Sequence, residues 1–358
     1  MGNKVLDVAV ESVLRTVAAV IGSLPTTVLR VLAGRPIRRD GQVVDTEIQV
    51  MLRILALLPH SDFEQLPVAQ SRGQIDMESR LVSGRPIPMA SVETVTIPGP
   101  NGPIGARLYR PEGLPPAAPL VVYFHGGGFV LGSLDSHDSL CRFLARHAEV
   151  AVLSVDYRLA PEHVFPAAVD DALAAFRFAV DNAAALGIDP DRVAVAGDSA
   201  GGNLATVVTR LTRDDVVRPV FQMLFFPWLD LTAKRRSYEL FSDGYFLTEA
   251  QIDWYTKHYT PAESDRTDPR ASPILAEDLS GLPPAYVALA GFDVLRDEGI
   301  EYAERLRAAG VPTTLRVHRG LVHSFVNLTG YGHAGVDALF EAAGALRVGL
   351  SFADRGVG

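Results

Sequence analysis

The order of apolar and polar positions divides the chain into a helical beginning and an alternating remainder. Through residues 1–85 apolar positions recur at helical spacing, with faces in 5–20, 26–33 and 45–58. The pattern then changes. Val92-Glu-Thr-Val-Thr-Ile alternates with period two, as a half-buried strand does. Ile104-Gly-Ala-Arg-Leu-Tyr-Arg follows across a Gly/Pro-rich turn, which predicts an antiparallel hairpin. Beyond it, short unbroken apolar runs predict buried strands at 120–124, 150–155, 192–197, 220–226, 285–290 and 314–318. Helices fit between and after them at 136–147, 167–184, 200–212, 296–309 and 334–351. Continuous apolar strands alternating with helices predict an α/β fold. Its mostly parallel sheet, of about eight strands, is covered on both faces. Ligands of such sheets bind beyond the C-terminal strand ends.

One interval breaks the rhythm. Residues 227–265 hold no core strand, only Tyr238-Glu-Leu-Phe and a helix-like stretch from Glu249 to Tyr259. An insertion at the C-terminal end of a strand reads as a lid. The expected organisation is an N-terminal helical cap segment (1–85), an α/β domain in two pieces (86–226 and 266–358) and a cap insertion (227–265).

Composition narrows the function classes. Apolar residues make up 48 % and charged residues 21 %, enough for a large core and far from a disordered chain. The formal charge of −9 argues against a nucleic-acid surface. It also argues against long-range attraction to an anionic membrane. In the apolar N-terminal stretch Asp7, Glu11 and Arg15 interrupt the run and Pro25 breaks it. The uncharged part, Thr16 to Leu29, is too short for the ~20 residues of a spanning helix. Two amphipathic helices packed on the rest of a cytoplasmic protein are expected here. Weak association of these helices with a lipid surface is the other reading. Cys141 is the single cysteine, so no intramolecular disulfide forms. It sits in a helical stretch and reads as a packed structural thiol.

Gly197-Asp198-Ser199-Ala200-Gly201 fits G-x-S-x-G, with a strand running into it and a helix leaving it. That is the setting of a nucleophile elbow. It would put Ser199 at a helix N-terminus, where the dipole favours developing negative charge. The bland alternative is an ordinary Gly-rich turn between strand and helix. His125-Gly126-Gly127-Gly128-Phe129 directly follows another strand. Three glycines let backbone N–H groups converge on one point and stabilise an oxyanion. No Lys-Ser/Thr follows them, so a phosphate-binding P-loop is not indicated.

A serine needs a base. His323 sits just past the last strand, at the same sheet edge. His318 lies within that strand and reads as structural. His60, His137, His147, His163, His258 and His333 lack such a location. The orienting acid should follow the strand at 285–290, where Asp293 lies at the strand end. Asp297 and Glu298 fall in the first turn of the next helix, where capping is their ordinary role. The resulting order is Ser, Asp, His. No H-E-x-x-H or similar ligand spacing is present, so neither a metal nor another cofactor is expected.

These motifs, together with Asp156-Tyr-Arg-Leu-Ala-Pro-Glu-His and Asp293-Val-Leu-Arg-Asp-Glu-Gly, resemble the hormone-sensitive-lipase-like, or family IV, bacterial carboxylesterases. The resemblance covers roughly residues 85–350. It implies an α/β-hydrolase fold with a helical cap, and short- to medium-chain esters as small-molecule substrates. It further implies oxyanion hydrogen bonds from Gly127, Gly128 and Ala200, and a homodimer as a common state. Val294, Ser324 and Val164 depart from its usual Pro, Gly and Pro. No reacting group is lost. Related gibberellin receptors bind a ligand and lack the histidine that this chain keeps as His323. The loop at 156–166 reads as structural, with Arg158 and Glu162 as a pair.

Overall fold

The computed structural model describes residues 2–57 and 62–351, with side chains from residue 12 onward. His60 lies outside the described residues. The chain begins with helices α1 (Gly2–Gly22) and α2 (Thr26–Ala33), then a two-strand hairpin, β1 (Arg38–Arg39) and β2 (Gln42–Val43). Helices α3 (Thr46–Leu57) and α4 (Val68–Val82) follow, and a short 3-10 turn, Phe63–Gln65, precedes α4. The α/β part runs β3 (Ser91–Gly99), β4 (Gly102–Arg110), β5 (Ala118–Phe124), α5 (Asp138–Ala148), β6 (Ala151–Asp156), α6 (Ala167–Asp181), β7 (Ile188–Asp198), α7 (Ala200–Leu211) and β8 (Phe221–Phe225). After the insertion, with α8 (Arg236–Phe241) and α9 (Glu249–Tyr259), come β9 (Ala285–Phe292), α10 (Arg296–Ala308), β10 (Thr313–Val322) and α11 (Ala334–Ser351).

Eight strands form one sheet in the order β10-β9-β8-β7-β5-β6-β4-β3. The pairs from β10 through β6 are parallel. The β3–β4 and β4–β6 pairs are antiparallel, so β4 runs against the other strands; β3–β4 is the hairpin the period-two pattern predicts, with Val92 opposite Tyr109 and Ile97 opposite Ile104. Side chains of β5, β6, β8 and β9 are buried on both faces almost throughout, which is why those strands read as unbroken apolar runs. Helices α5 and α11 pack together on one side, α6 and α7 on the other.

The N-terminal segment does two things. Part of it leads to the insertion: α1 packs on α4, α4 on the 3-10 turn, and Phe63 of that turn meets Trp254 and Tyr255 of α9, with ring centroids 5.7 and 5.6 Å away. The remainder straps the ends of β9 and β10. Gln42 donates to Gly291 O (3.1 Å) and Asp45 N to Gly320 O (2.8 Å), while Glu47 accepts from His333 N and Ala334 N at the start of α11. The periodicity of 45–58 shows this helix but not its place; the hairpin before it is too short to leave a pattern.

The loop at 156–166 is structural, but its two charges do not pair. Arg158 forks onto Asp171 of α6 (2.7 and 2.8 Å), and Glu162 binds Arg72 of α4 (2.6 Å). Asp171 is fully buried and acquires a bidentate cation, which a buried carboxylate requires more than an exposed Glu162 does.

Candidate active site

The C-terminal ends of β5, β7, β8, β9 and β10 converge at one edge of the sheet. Ser199 follows β7 and caps α7 with φ 54° and ψ −117°, an unusual backbone for a non-glycine residue. Its neighbours hold it there. Ser199 N donates to Phe225 O (2.9 Å), and Ser199 O accepts from Trp228 N (3.1 Å) and Asn203 N (3.0 Å). The turn is tight because α7 begins directly against β5: a Cβ at Gly201 would collide with the carbonyl oxygen of Phe124. The motif's glycine is therefore a steric requirement.

His323 follows β10, and Asp293 follows β9. His323 Nδ1 lies 2.7 Å from Asp293 Oδ2, and both side chains are buried. A carboxylate only accepts, so Nδ1 carries the proton, and in the neutral imidazole Nε2 keeps its lone pair. Leu295 N fixes the other oxygen of Asp293 (3.0 Å). Phe226, next to the residue that holds Ser199, places its ring 4.5 Å from the His323 imidazole. Ser324 takes a left-handed conformation (φ 63°), which explains why glycine suits this position better.

The glycine loop turns tightly after β5. Gly127 O accepts from Val130 N (3.1 Å) and Leu131 N (2.8 Å), with φ 117° at Gly127 and 60° at Gly128. The N–H groups of Gly127 and Gly128 meet no acceptor among the described residues. Ala200 is the first residue of α7, so its N–H is one of the helix's unpaired terminal donors. These three donors suit an oxygen acquiring negative charge.

Asp198 lies at the centre of a second buried group. Tyr123 donates its hydroxyl (2.6 Å) and Gly126 its N–H (3.0 Å) to Oδ1, while His137 Nε2 lies 3.2 Å from Oδ2. Burial pushes the Asp198 carboxyl up, but the charge and hydrogen bond of His137 and the Tyr123 hydroxyl outweigh it. The carboxyl is held below the ordinary carboxylate value. A Cβ at Gly126 would strike this carboxylate, so only glycine fits. One carboxylate thus ties the glycine loop to the residue beside Ser199. Nearby His125 is pushed down to about 4, first by burial and then by His137, and so is neutral. Its backbone oxygen accepts from Tyr157 (2.7 Å).

His137 belongs to this group, although no strand end beside it in sequence marks it as part of the site. It precedes α5, far from any strand end in sequence, and only the turn after the glycine loop returns it to Asp198. The remaining candidates are elsewhere. Asp297 binds Ser237 N (2.8 Å) and Arg296 (2.8 Å). Glu298, expected to cap α10, is fully buried and accepts instead from Leu229 N (2.6 Å) in the insertion. His318 is half-buried in β10 against Phe325. Cys141 is buried in α5, and its thiol is pushed up to about 12, chiefly by burial.

The sequence profile of the α/β hydrolase fold family matches residues 121–327. The chain belongs to this family. Within it, the hormone-sensitive-lipase-like resemblance is sustained by the carboxylic ester hydrolase LipN of Mycobacterium tuberculosis. That protein is 47 % identical over 341 residues, covering 92 % of this chain and 89 % of LipN. The ethyl acetate hydrolase of Pseudomonas putida is 40 % identical over 270 residues, 74 % of this chain and 84 % of that protein. Among solved structures, an ester hydrolase from the Lake Arreo metagenome, complexed with a bipyridine phosphonate derivative, superposes with a TM-score of 0.83 at 42 % identity. It covers 85 % of this chain and 98 % of that one. The hyperthermophilic esterase of Pyrobaculum calidifontis gives 0.81 at 40 % identity, with the same coverage.

Proposed function

We propose that this α/β hydrolase is a serine carboxylesterase that cleaves short- to medium-chain esters, with Ser199 as nucleophile, His323 as base and Asp293 as orienting acid. The observation that carries the reading is the Asp293–His323 pair of 2.7 Å at the sheet edge that also presents Ser199 and the acceptor-free N–H groups of Gly127 and Gly128. Ser199 Oγ attacks the ester carbonyl and His323 Nε2 takes its proton. The carbonyl oxygen becomes an oxyanion held by Gly127, Gly128 and Ala200. His323 then protonates the departing alcohol, leaving an acyl group on Ser199. Water, deprotonated by the same imidazole, releases the acid.

The acyl-length range rests on the cap. Residues 1–85 and 227–265 together form it in this reading, joined where the 3-10 turn beside α4 meets α9. Tyr255 of α9 sits directly on Gly128: a Cβ there would strike the phenol ring. Ser199 is 8 % exposed and His323 5 %. Such a covered site favours compact acyl groups. The name of the ethyl acetate hydrolase, carried to this chain as a proposal, points the same way.

A series of p-nitrophenyl esters tests the reading. Acetate, butyrate and hexanoate should be hydrolysed with kcat/KM at least about 10²-fold above palmitate, a difference within what pocket fit supplies over several methylenes. Absence of turnover on every ester, or a preference for palmitate, would contradict it.

A further inference from the structure

Helices α1 and α2 each carry two apolar stripes, and only one is covered. On α1, Ala18 and Ile21 pack toward the core, while Val13, Val17 and Val20, at i, i+4 and i+7, face outward. On α2, Leu29 and Ala33 are buried, while Val28, Val31 and Leu32 are exposed, Val31 by 81 %. An ordinary surface helix has one apolar stripe and a polar back. Of the eighteen large hydrophobics exposed among the described residues, seven lie on these two helices. Scattered exposed valines need no explanation, but a cluster on two consecutive helices does.

Among the described residues, the unpaired charges around the cluster have one sign. Arg30, Arg35 and Arg38 are exposed and form no ion pair among the described residues. The acidic groups nearby are engaged: Asp40 with Arg236 and Arg296, Asp45 with Glu47 N, and Glu47 with the first N–H groups of α11. The chain's net charge of −9 therefore does not describe this face, and charges beyond about 8 Å are screened at physiological salt.

We propose that the outer face of α1 and α2 docks on an anionic lipid surface, the valines entering the headgroup boundary and the arginines pairing with lipid phosphates. The two helices are bent by 106°, and no single helix among the described residues is long and apolar enough to cross a membrane. Lying in the interface fits both facts. A second copy is the weaker occupant, because a two-fold pairing would set these arginines against their own equivalents. Through α4 and the 3-10 turn the face connects to α9, which covers the site, so docking would bring a lipid surface beside the cap.

Co-sedimentation of the full chain with lipid vesicles tests this without turnover, so it fails independently of the hydrolysis reading. Vesicles containing phosphatidylglycerol should pellet at least ten times more protein than pure phosphatidylcholine, and about 1 M salt should release most of it. The double variant V17E/V31E, and separately R30E/R35E, should lose about ten-fold or more of the bound fraction. V216E, at an exposed valine elsewhere, should bind as the parent does. Thermal unfolding confirms that each variant is folded. Absence of pelleting, equal binding to neutral vesicles, or undiminished binding by both double variants would overturn the proposal. So would a parent dimer that V17E/V31E dissociates, since the face would then be covered by a second copy.

Discussion

Two aspartate–histidine pairs are buried at one edge of this sheet, and their histidines are committed differently. In Asp293–His323 the imidazole spends Nδ1 on the carboxylate (2.7 Å) and makes no other hydrogen bond among the described residues. In Asp198–His137 both nitrogens are spent, Nε2 on Asp198 (3.2 Å) and Nδ1 on Ser136 Oγ (2.9 Å). The first histidine can still take a proton from a substrate group. The second cannot without giving up its contact with Asp198 or with Ser136. Burial and an acidic partner are therefore common to both histidines; the uncommitted second nitrogen is what sets His323 apart from His137.

Between the two pairs, the larger expected effect is on the one with the free nitrogen. Asp293→Asn should lower kcat about 10³- to 10⁴-fold, because the imidazole loses the partner that fixes its tautomer. Steady-state kinetics on p-nitrophenyl butyrate reads this directly. A loss below ten-fold would mean that the first pair also serves position alone. Asp198→Asn should cost less, about 10²-fold in kcat with KM nearly unchanged, because displacing the oxyanion donors by a fraction of an ångström weakens the transition state more than the bound ester. Equal penalties for the two variants, or a KM effect alone, would erase the distinction.

Glu298 supplies another buried carboxylate, one with no histidine. Burial first, and then the charge of Asp230, hold its carboxyl well above the usual value, although Leu229 N donates to it. A carboxyl whose folded value is raised binds its proton more tightly in the native state. Its contribution is intact below the unfolded value near ~4.3 and is lost as pH rises through the folded value. Glu298→Gln keeps the acceptor and removes the ionisation. The variant should match the parent near about pH 4 and exceed its Tm by about 1–3 °C near about pH 8. A Tm difference independent of pH would show that the carboxyl does not titrate as described.

The legibility of these groups follows their relation to strand ends. Ser199, Asp293 and His323 each stand one residue past a strand that is buried throughout or at its end, and the glycines around Ser199 and after β5 mark turns that no other residue can make. Such positions leave a local signal. His137 stands before a helix, in a turn whose return to Asp198 depends on the packing of α5 against β6, and so has none. Arg158 and Glu162 failed as a pair for the same reason: proximity in sequence was outweighed by a buried carboxylate on α6 and an arginine from α4. The sheet, its hairpin and the helices of the α/β part were legible because burial on both faces or one imposes its period. The strap over β9 and β10 was not, since it is made of isolated hydrogen bonds, donated by Gln42 and Asp45 and accepted by Glu47.

The central claim is that Ser199 carries the acyl group. Labelling with a p-nitrophenyl alkylphosphonate, followed by intact mass and peptide mapping, tests it most directly. The account predicts one adduct per chain, on the peptide containing Ser199, appearing in step with loss of esterase activity. Ser199→Ala should take no label and lose about 10⁴-fold or more of kcat while keeping its fold. A stoichiometric adduct on any other residue, or a Ser199→Ala variant that retains a tenth of the parent's turnover, would contradict it.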